Sequence, residues 1–306
     1  MARLRAQRGA ASTGVDGSVR AKEPAVAVAV VSWNTRDLLA RCLDSMRPDV
    51  DRGAAAVWVV DNGSTDGSPE LVREAYGWAH LIEPGHNLGF GRAVNLVAER
   101  APGRWIAAAN ADIELGGGAL AALVAAGESD PRAGAVAPRL LLPDGSTQHS
   151  VHRFPTLSLA LITALGIPRL SSGLGDRLCL EGHWDPERAR YVDWAHGALL
   201  LVRREAFEAA GGFDPVQWMY AEDIDLAWRL ERAAFKVAYE PAAVVRHAVS
   251  ASTTQAFGDA GRGQRHIAAS YAWMLRRQGL ALTWASALVN LMGIAARFAV
   301  LSLLSP

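Results

Sequence analysis

The chain has 306 residues, half of them apolar, with 31 basic and 31 acidic side chains and a formal net charge of zero. That balance excludes the one-signed field of a nucleic-acid-binding surface, while the apolar fraction suffices for one large domain or two small ones. The two cysteines, Cys42 and Cys179, stand far apart outside any C-x-x-C spacing, which excludes a disulfide framework and a zinc site and points to a reducing compartment.

Residues 1–24 hold Arg, Ala, Gly and Ser without an apolar segment, so they read as a disordered tail rather than a secretory signal. Arg3, Arg5, Arg8, Arg20 and Lys22 against Asp16 and Glu23 leave this tail basic, suited to solvent or to an anionic membrane. The ordered chain opens with a valine-rich run, 25–32, that reads as a buried strand. Asn34 and Asp37 have the spacing of a capping box, after which Leu38, Leu39, Cys42, Leu43 and Met46 fall on one helical face. A second buried run, 56–60, ends in Asp61-Asn62-Gly63-Ser64-Thr65-Asp66-Gly67, and Ser68 before Pro69 predicts a helix capped by Ser68. A third strand near 81–83 gives way to Gly85-His86-Asn87-Leu88-Gly89-Phe90-Gly91 and a helix to about Arg100. These glycines lack dinucleotide-fingerprint spacing; they form either a plain turn or a loop whose amides approach phosphate.

A fourth strand, from Arg104, meets Asn110 and Asp112. Strands alternating with helices predict an α/β fold with a mostly parallel sheet flanked by helices and its polar loops on one edge, where open α/β sheets bind ligands. Asp112 at that edge can hold a divalent cation together with nucleotide phosphates, the alternative being an ordinary turn. Asp61, also at a strand end, can accept the N3 hydrogen of a uracil or thymine ring and ranks ahead of Asp66.

Beyond the glycine trio 116–118 come an alanine-rich helix, a strand at 133–137 and a hairpin over 140–148 built on Pro143-Asp144-Gly145. Residues 150–190 lose periodicity and read as an insertion shaping the acceptor side. Gly197 precedes a buried strand, 198–202, and marks either close approach to a ligand or a bulge; the neighbouring His196 has no assigned role. After the turn Gly211-Gly212-Phe213-Asp214-Pro215 and the stretch from Trp218, three carboxylates, Glu222, Asp223 and Asp225, crowd the first turn of a helix whose dipole favours their charged form. Asp225 has Arg229 four residues on and reads as structural. Asp223 has Ala227 there and is left for a substrate hydroxyl, unless all three acids merely cap the helix. Short strands follow at 236–239 and 244–247, the last ending in His247. Residues 280–296 carry no charge over 17 residues, the lower limit for a membrane span. Thr283, Ser286, Asn290, Gly293 and Arg297 make a narrow polar stripe on this C-terminal apolar helix, which favours one lying in the membrane surface with arginines toward the headgroups; packing on the catalytic domain is the alternative.

Val30-Val31-Ser32-Trp33-Asn34, Cys42-Leu43, the run from Val59 to Ser68, Asn87-Leu88-Gly89-Phe90-Gly91 with Asn95, and Asn110-Ala111-Asp112 form an ordered series. It resembles family 2 glycosyltransferases with the GT-A fold, in the bacterial rhamnosyltransferase-like branch, where the metal motif is often Asn-Pro-Asp. Here alanine takes the middle place and the first aspartate is absent, so Asp112 is the one strong ligand in the motif. The resemblance covers about residues 25–250. It implies a catalytic domain with a nucleotide-binding half, 25–115, and an acceptor half, 116–250, with the insertion near 150–190; the residue pattern adds a helical, membrane-associating segment, 251–306. The resemblance further implies inverting transfer with Asp223 as catalytic base and Mg²⁺ or Mn²⁺ held by Asp112 and His247. Asp61, Asn34, Asn87, Gly89, Asn95 and Asn110 would bind the nucleotide-diphosphate sugar, and Gly197, Trp218 and Glu222 would face the acceptor. The expected sugar is rhamnose from a thymidine diphosphate donor, the acceptor a lipid-linked or cell-envelope glycan at the cytoplasmic membrane surface, with no nucleic-acid partner. The missing aspartate leaves a non-catalytic sugar-nucleotide-binding assembly subunit as the alternative; a nucleotidyltransferase would need a glycine-rich basic loop where Ser32-Trp33-Asn34 stands.

Overall fold

The period-two strands and amphipathic helices assemble in a computed structural model that describes residues 24–167, 172–249 and 251–304. The expected tail, apart from Pro24, lies outside the described residues, as do Pro168 to Ser171 of the insertion. The first half runs β1 (Val26–Ser32), α1 (Arg36–Asp51), β2 (Ala55–Asp61), α2 (Ser68–Ala75), β3 (His80–Ile82), α3 (Phe90–Arg100), β4 (Trp105–Asn110), β5 (Ile113–Leu115) and α4 (Ala119–Ser129). The second half adds β6 (Ala133–Leu141), β7 (Val151–His152), α5 (Leu157–Ala164), α6 (Ser172–Arg177), β8 (Arg190–Val192), β9 (Trp194–Ala195), β10 (Leu199–Arg203), α7 (Arg204–Ala209), α8 (Glu222–Arg232), β11 (Lys236–His247), α9 (Ala251–Gln278) and α10 (Leu280–Leu304).

Among the described residues the strands form one nine-stranded sheet in the order β3-β2-β1-β4-β10-β6-β11-β5, with β8 also on β11, and a small β7-β9 pair. The β3-β2-β1-β4 block is parallel, as is β6 with β11. The strand β10 runs antiparallel to both its neighbours, and β5 and β8 antiparallel to β11. Alternation assigns the two faces. Val26, Val28 and Val30 of β1 and Trp105, Ala107 and Ala109 of β4 pack with Leu39, Leu43 and Met46 of α1, while Ala27, Ala29, Ile106 and Ala108 pack with Ala93, Val94 and Val97 of α3. Each fully buried Val, Leu or Ile on these faces contributes about 1.5–3 kcal/mol. The alanines keep the α3 layer close and the strand ends rigid.

Four local expectations are corrected. Asn34 is not a helix cap: α1 begins behind Thr35, and Asn34 takes a left-handed conformation (φ 51°) in which its amide oxygen accepts the Thr65 N–H at 2.8 Å, tying the β1 and β2 loops together. Ser68 is the first helical residue rather than the cap, because Gly67 (φ 86°) makes the turn and Asp66 accepts from both the Ser68 N–H and hydroxyl. The two short strands at 236–239 and 244–247 are one strand, β11, in which an irregularity between Glu240 and Val244 absorbs Pro241, a residue with no N–H for the ladder. Part of the polar stripe of α10 faces the protein: Thr283, Ser286 and Gly293 are buried, Gly293 against Ala164 of α5, and Arg297 donates to the Thr163 carbonyl at 3.0 Å, while Asn290 is exposed. Small and hydrogen-bonding groups allow close helix packing, and Gly293 and Arg297 make the contacts with the α5 segment. The opposite face stays out, with Trp284 69%, Leu288 57% and Leu291 64% exposed. Residues 280–298 form a helix long and apolar enough to cross a membrane by length and composition.

Candidate active site

The parallel register brings the C-terminal ends of β1, β2 and β4 to one edge: Ser32 pairs with Asp61, and Val31 with both Val60 and Asn110. At the end of β2, one oxygen of Asp61 accepts the N–H groups of Gly63 at 3.1 Å and Ser64 at 2.8 Å, a turn that Asp-Asn-Gly-Ser forms readily. The other oxygen is buried without a partner. Asp66, by contrast, is engaged on both oxygens, by the Arg36 N–H and by Ser68, and locks the starts of α1 and α2. These hydrogen bonds hold its carboxyl below the usual range, outweighing the opposing effect of its partial burial.

The glycine loop is fastened to the same edge. Asn62 donates to the Gly89 carbonyl and accepts the Leu88 N–H at 3.3 Å, and Asn87 accepts the Gly89 N–H at 2.8 Å. Gly89 (φ 80°) is required for a protein contact: a side chain there would overlap the Trp218 carbonyl and come within 2.9 Å of its ring. Trp218, which is 42% exposed, thus stands over the glycine loop. Asn95 is not brought to this edge. Its amide accepts the Phe213 N–H at 2.9 Å and donates to the Phe213 carbonyl at 2.8 Å, bracing the turn that leads to α8.

Asp112 and His247 meet because β5 and β11 pair antiparallel, with Ile113 opposite His247. His247 Nε2 lies 3.4 Å from Asp112 Oδ1, both side chains are buried, and neither of these two atoms has a hydrogen-bond partner. The Nδ1 of the same ring lies 2.8 Å from the Gln148 amide oxygen. An amide oxygen only accepts, so Nδ1 carries the hydrogen; in the neutral ring the lone pair then lies on Nε2, facing a carboxylate oxygen. Two buried electron-rich atoms at that separation fit a divalent cation, and imidazole with carboxylate is a donor set that Mn²⁺ accepts. Among the described residues no group of three or more His, Cys, Asp and Glu side chains gathers. Cys42 lies behind this pair; burial and the nearby Asp112 push its thiol far up, which keeps it an inert core residue.

Asp223, the second residue of α8, joins the edge through Gly197. The Gly197 N–H donates to Asp223 Oδ2 at 3.2 Å, and the adjacent Ala198 carbonyl accepts the Asn110 N–H at 2.9 Å. The base candidate is therefore anchored one peptide away from the β4 end that leads to Asp112. The expectation that the helix dipole holds these acids ionised is corrected. Burial raises Asp223, tempered by the N–H groups of Ile224 and Gly197 and by His266, and burial with the Asp223 charge raises Glu222 well above the usual carboxylate range. Desolvation of these half-buried side chains outweighs the dipole; Glu222 Oε2 is buried without a partner. His266 of α9, beside Tyr220 at 5.6 Å between ring centroids, and the hairpin residue Gln148 were not assigned to the site from sequence. Both lie far along the chain from the residues they serve.

These features define a class. A β2 carboxylate and an Asp–His pair share one strand edge with a carboxylate at a helix start, a set of groups able to meet a nucleotide, a cation and a hydroxyl. Comparisons agree. The family model described as Glycosyl transferase family 2 matches residues 27–175, and that described as Glycosyl transferase family 21 matches 188–305. The N-acetylglucosaminyl-diphospho-decaprenol L-rhamnosyltransferase of Mycobacterium tuberculosis is 35% identical over 237 residues, covering 74% of this chain and 76% of that protein. Rhamnosyltransferase WbbL of Escherichia coli is 30% identical over 135 residues, 42% of this chain and 46% of its own. Among solved structures, the mannosyltransferase PcManGT from Pyrobaculum calidifontis in complex with GDP-Man and Mn²⁺ superposes with a TM-score of 0.58 at 24% identity, covering 90% of this chain and 76% of that one. GalNAc-T7 with UDP, GalNAc and Mn²⁺ does so with a TM-score of 0.56 at 16% identity, covering 76% and 45%. The fold is the GT-A fold. The chain belongs to glycosyl transferase family 2 and is a glycosyltransferase.

Proposed function

We propose that this enzyme moves a rhamnosyl unit, with inversion, from a thymidine diphosphate donor to a hydroxyl of a lipid-linked cell-envelope glycan at the cytoplasmic face of the membrane. The observation that carries the reading is the edge itself. Asp61 and Asp112 each present a buried oxygen without a partner, His247 presents a free nitrogen, and Asp223 is tethered beside them through Gly197. The rhamnosyltransferase relatives, one of which acts on a diphospho-decaprenol substrate by its name, support the choice of sugar and acceptor.

In this reading the free Asp61 oxygen accepts the N3 hydrogen of the base, and Asn34, Asn87, Gly89 and Asn110 line the nucleotide side. Asp112 and His247 would hold Mg²⁺ or Mn²⁺, which when bound offsets the charge that develops on the leaving diphosphate. Trp218 and Glu222 face the acceptor. Asp223 takes the proton of the acceptor hydroxyl as its oxygen bonds to the anomeric carbon, and the bond from that carbon to the diphosphate oxygen breaks with its electron pair on the diphosphate. A single base suffices for one displacement, unlike the two carboxylates of a glycosidase. The test is transfer from a panel of nucleotide sugars with Mn²⁺ to a polyprenyl-diphosphate N-acetylglucosamine acceptor. Metal-dependent turnover with thymidine diphosphate rhamnose, abolished by chelator, is expected; turnover only with a different sugar class, or undiminished in chelator, contradicts the reading.

The exposed face of α10 supplies the membrane contact, with Leu161 and Leu165 of the α5 segment also exposed. Flotation with vesicles of phosphatidylcholine and phosphatidylglycerol should carry the wild type upward. The variant Trp284→Ser, Leu288→Ser, Leu291→Ser should stay at the bottom; co-flotation of this variant would remove α10 as the anchor.

A further inference from the structure

Gln148 closes the hairpin that follows β6. Its backbone N–H donates to the Leu140 carbonyl at 2.8 Å, and Leu140 pairs with Val245 of β11. This ladder holds the side chain beside His247, 99 residues away in the chain, with the amide oxygen 2.8 Å from Nδ1. The other end of the amide lies 3.5 Å from His196 Nδ1, and His196 Nε2 lies 3.2 Å from His152 Nε2. A consistent assignment of hydrogens links the series with the amide in this orientation. The Gln148 amide N–H donates to His196 Nδ1, so His196 carries its hydrogen on Nε2 and donates it to His152. His196 is anchored by its own N–H to the Ser150 carbonyl at 2.9 Å, and the His152 ring stacks on Trp194 at 4.3 Å. Burial drives both histidines well below the usual range, so neither imidazole adds a cation that would turn the amide round.

We infer that Gln148 is a positioning residue for the metal ligand His247: by accepting the Nδ1 hydrogen it fixes the ring in the one tautomer whose Nε2 lone pair faces Asp112, with the His196–His152 pair holding the amide in that orientation. A histidine ligand depends on such an outer partner for both ring angle and tautomer, and its removal costs roughly 10–100-fold in metal affinity. The inference rests on the reading of Asp112 and His247 as metal ligands, and the two can be separated by experiment.

Mn²⁺ affinity, read from the electron paramagnetic resonance signal of the free ion in the presence of thymidine diphosphate, is compared among wild type, His247→Ala, Gln148→Ala and Gln148→Glu. Long-range proton–nitrogen spectra of the metal-free proteins report the His247 tautomer. Expected are the Nδ1–H tautomer in the wild type, a mixture in Gln148→Ala with affinity down roughly 10–100-fold, and recovery of both in Gln148→Glu, whose carboxylate still accepts. Unchanged affinity in His247→Ala would remove the metal reading and this inference with it. Weakening in His247→Ala alongside wild-type affinity and tautomer in Gln148→Ala would overturn the role of Gln148 alone, as would an Nε2–H tautomer in the metal-free wild type.

Discussion

Asp223→Asn should bind nucleotide as the wild type does and lose about two to four orders of magnitude in turnover, the range that general-base catalysis contributes. Asparagine keeps the shape of the side chain and can still accept the Gly197 N–H, so the loop stays in place; what it cannot do is take a proton. The sign of the pH dependence follows from burial. As the proposed base, Asp223 would act when ionised, and its folded-state value is raised, so the rate should fall as pH drops through a point above the ordinary aspartate value near 3.9. For stability the same shift works the other way: the folded protein is favoured while the group is protonated, and that advantage is lost as pH rises through the raised value. At neutral pH the uncharged asparagine should therefore leave the protein at least as stable as the wild type. Paired kinetics and thermal melts check both halves. A dead variant that is also unfolded would be uninformative about the base, and a fully active one would remove Asp223 from the chemistry.

The second large effect concerns Asp225, two residues on. Its carboxylate is fully buried between Arg229 Nε and Arg277 Nε, each at 2.8 Å, and accepts the Trp273 indole N–H at 3.1 Å. Arg229 continues to the Ala210 and Gly212 carbonyls, and Arg277 to Asp214 at 3.0 Å. Asp225→Ala leaves two largely buried guanidinium groups without their shared anion, which costs about 3 kcal/mol, the lower end for breaking a buried pair because Arg277 keeps Asp214. At about 2–4 °C per kcal/mol for a protein of this size, the melting point should fall by roughly 10 °C. Because this cluster ties α8 to α9, the start of α8 loosens and activity falls with it. Thermal denaturation decides; a drop of a degree or less would mean that the α8–α9 junction is held elsewhere.

The particulars show which physics a sequence carries openly. Asp225 with Arg229 four residues later is a one-helix pattern and was legible as an ion pair, but its burial, Trp273 and Arg277 come from a helix about fifty residues away. The strand-and-helix alternation exposed the sheet and its functional edge because hydrophobic period and turn chemistry are local. The antiparallel course of β10 is not local; nothing in 199–203 states its direction. Asn34 failed as a cap because its side chain found Thr65 across the sheet edge, a partner that capping statistics do not include. The dipole argument for ionised acids failed for a similar reason: helix position is visible in the sequence, whereas the depth at which Glu222 and Asp223 lie is not. The stripe on α10 was seen correctly as a stripe, but which side of a helix meets protein depends on α5, whose own sequence gives no matching signal.

The central claim is that one sheet edge brings the metal pair, the base-recognising carboxylate and the catalytic base to a single donor. A crystal grown with Mn²⁺ and thymidine diphosphate tests it directly through the anomalous signal of the ion. A peak bonded to both Asp112 and His247 is expected, with diphosphate oxygens completing the shell, the pyrimidine on Asp61 and Asp223 facing the open side of the diphosphate. Manganese held by other residues, or a nucleotide on a surface that Asp223 does not face, would contradict it.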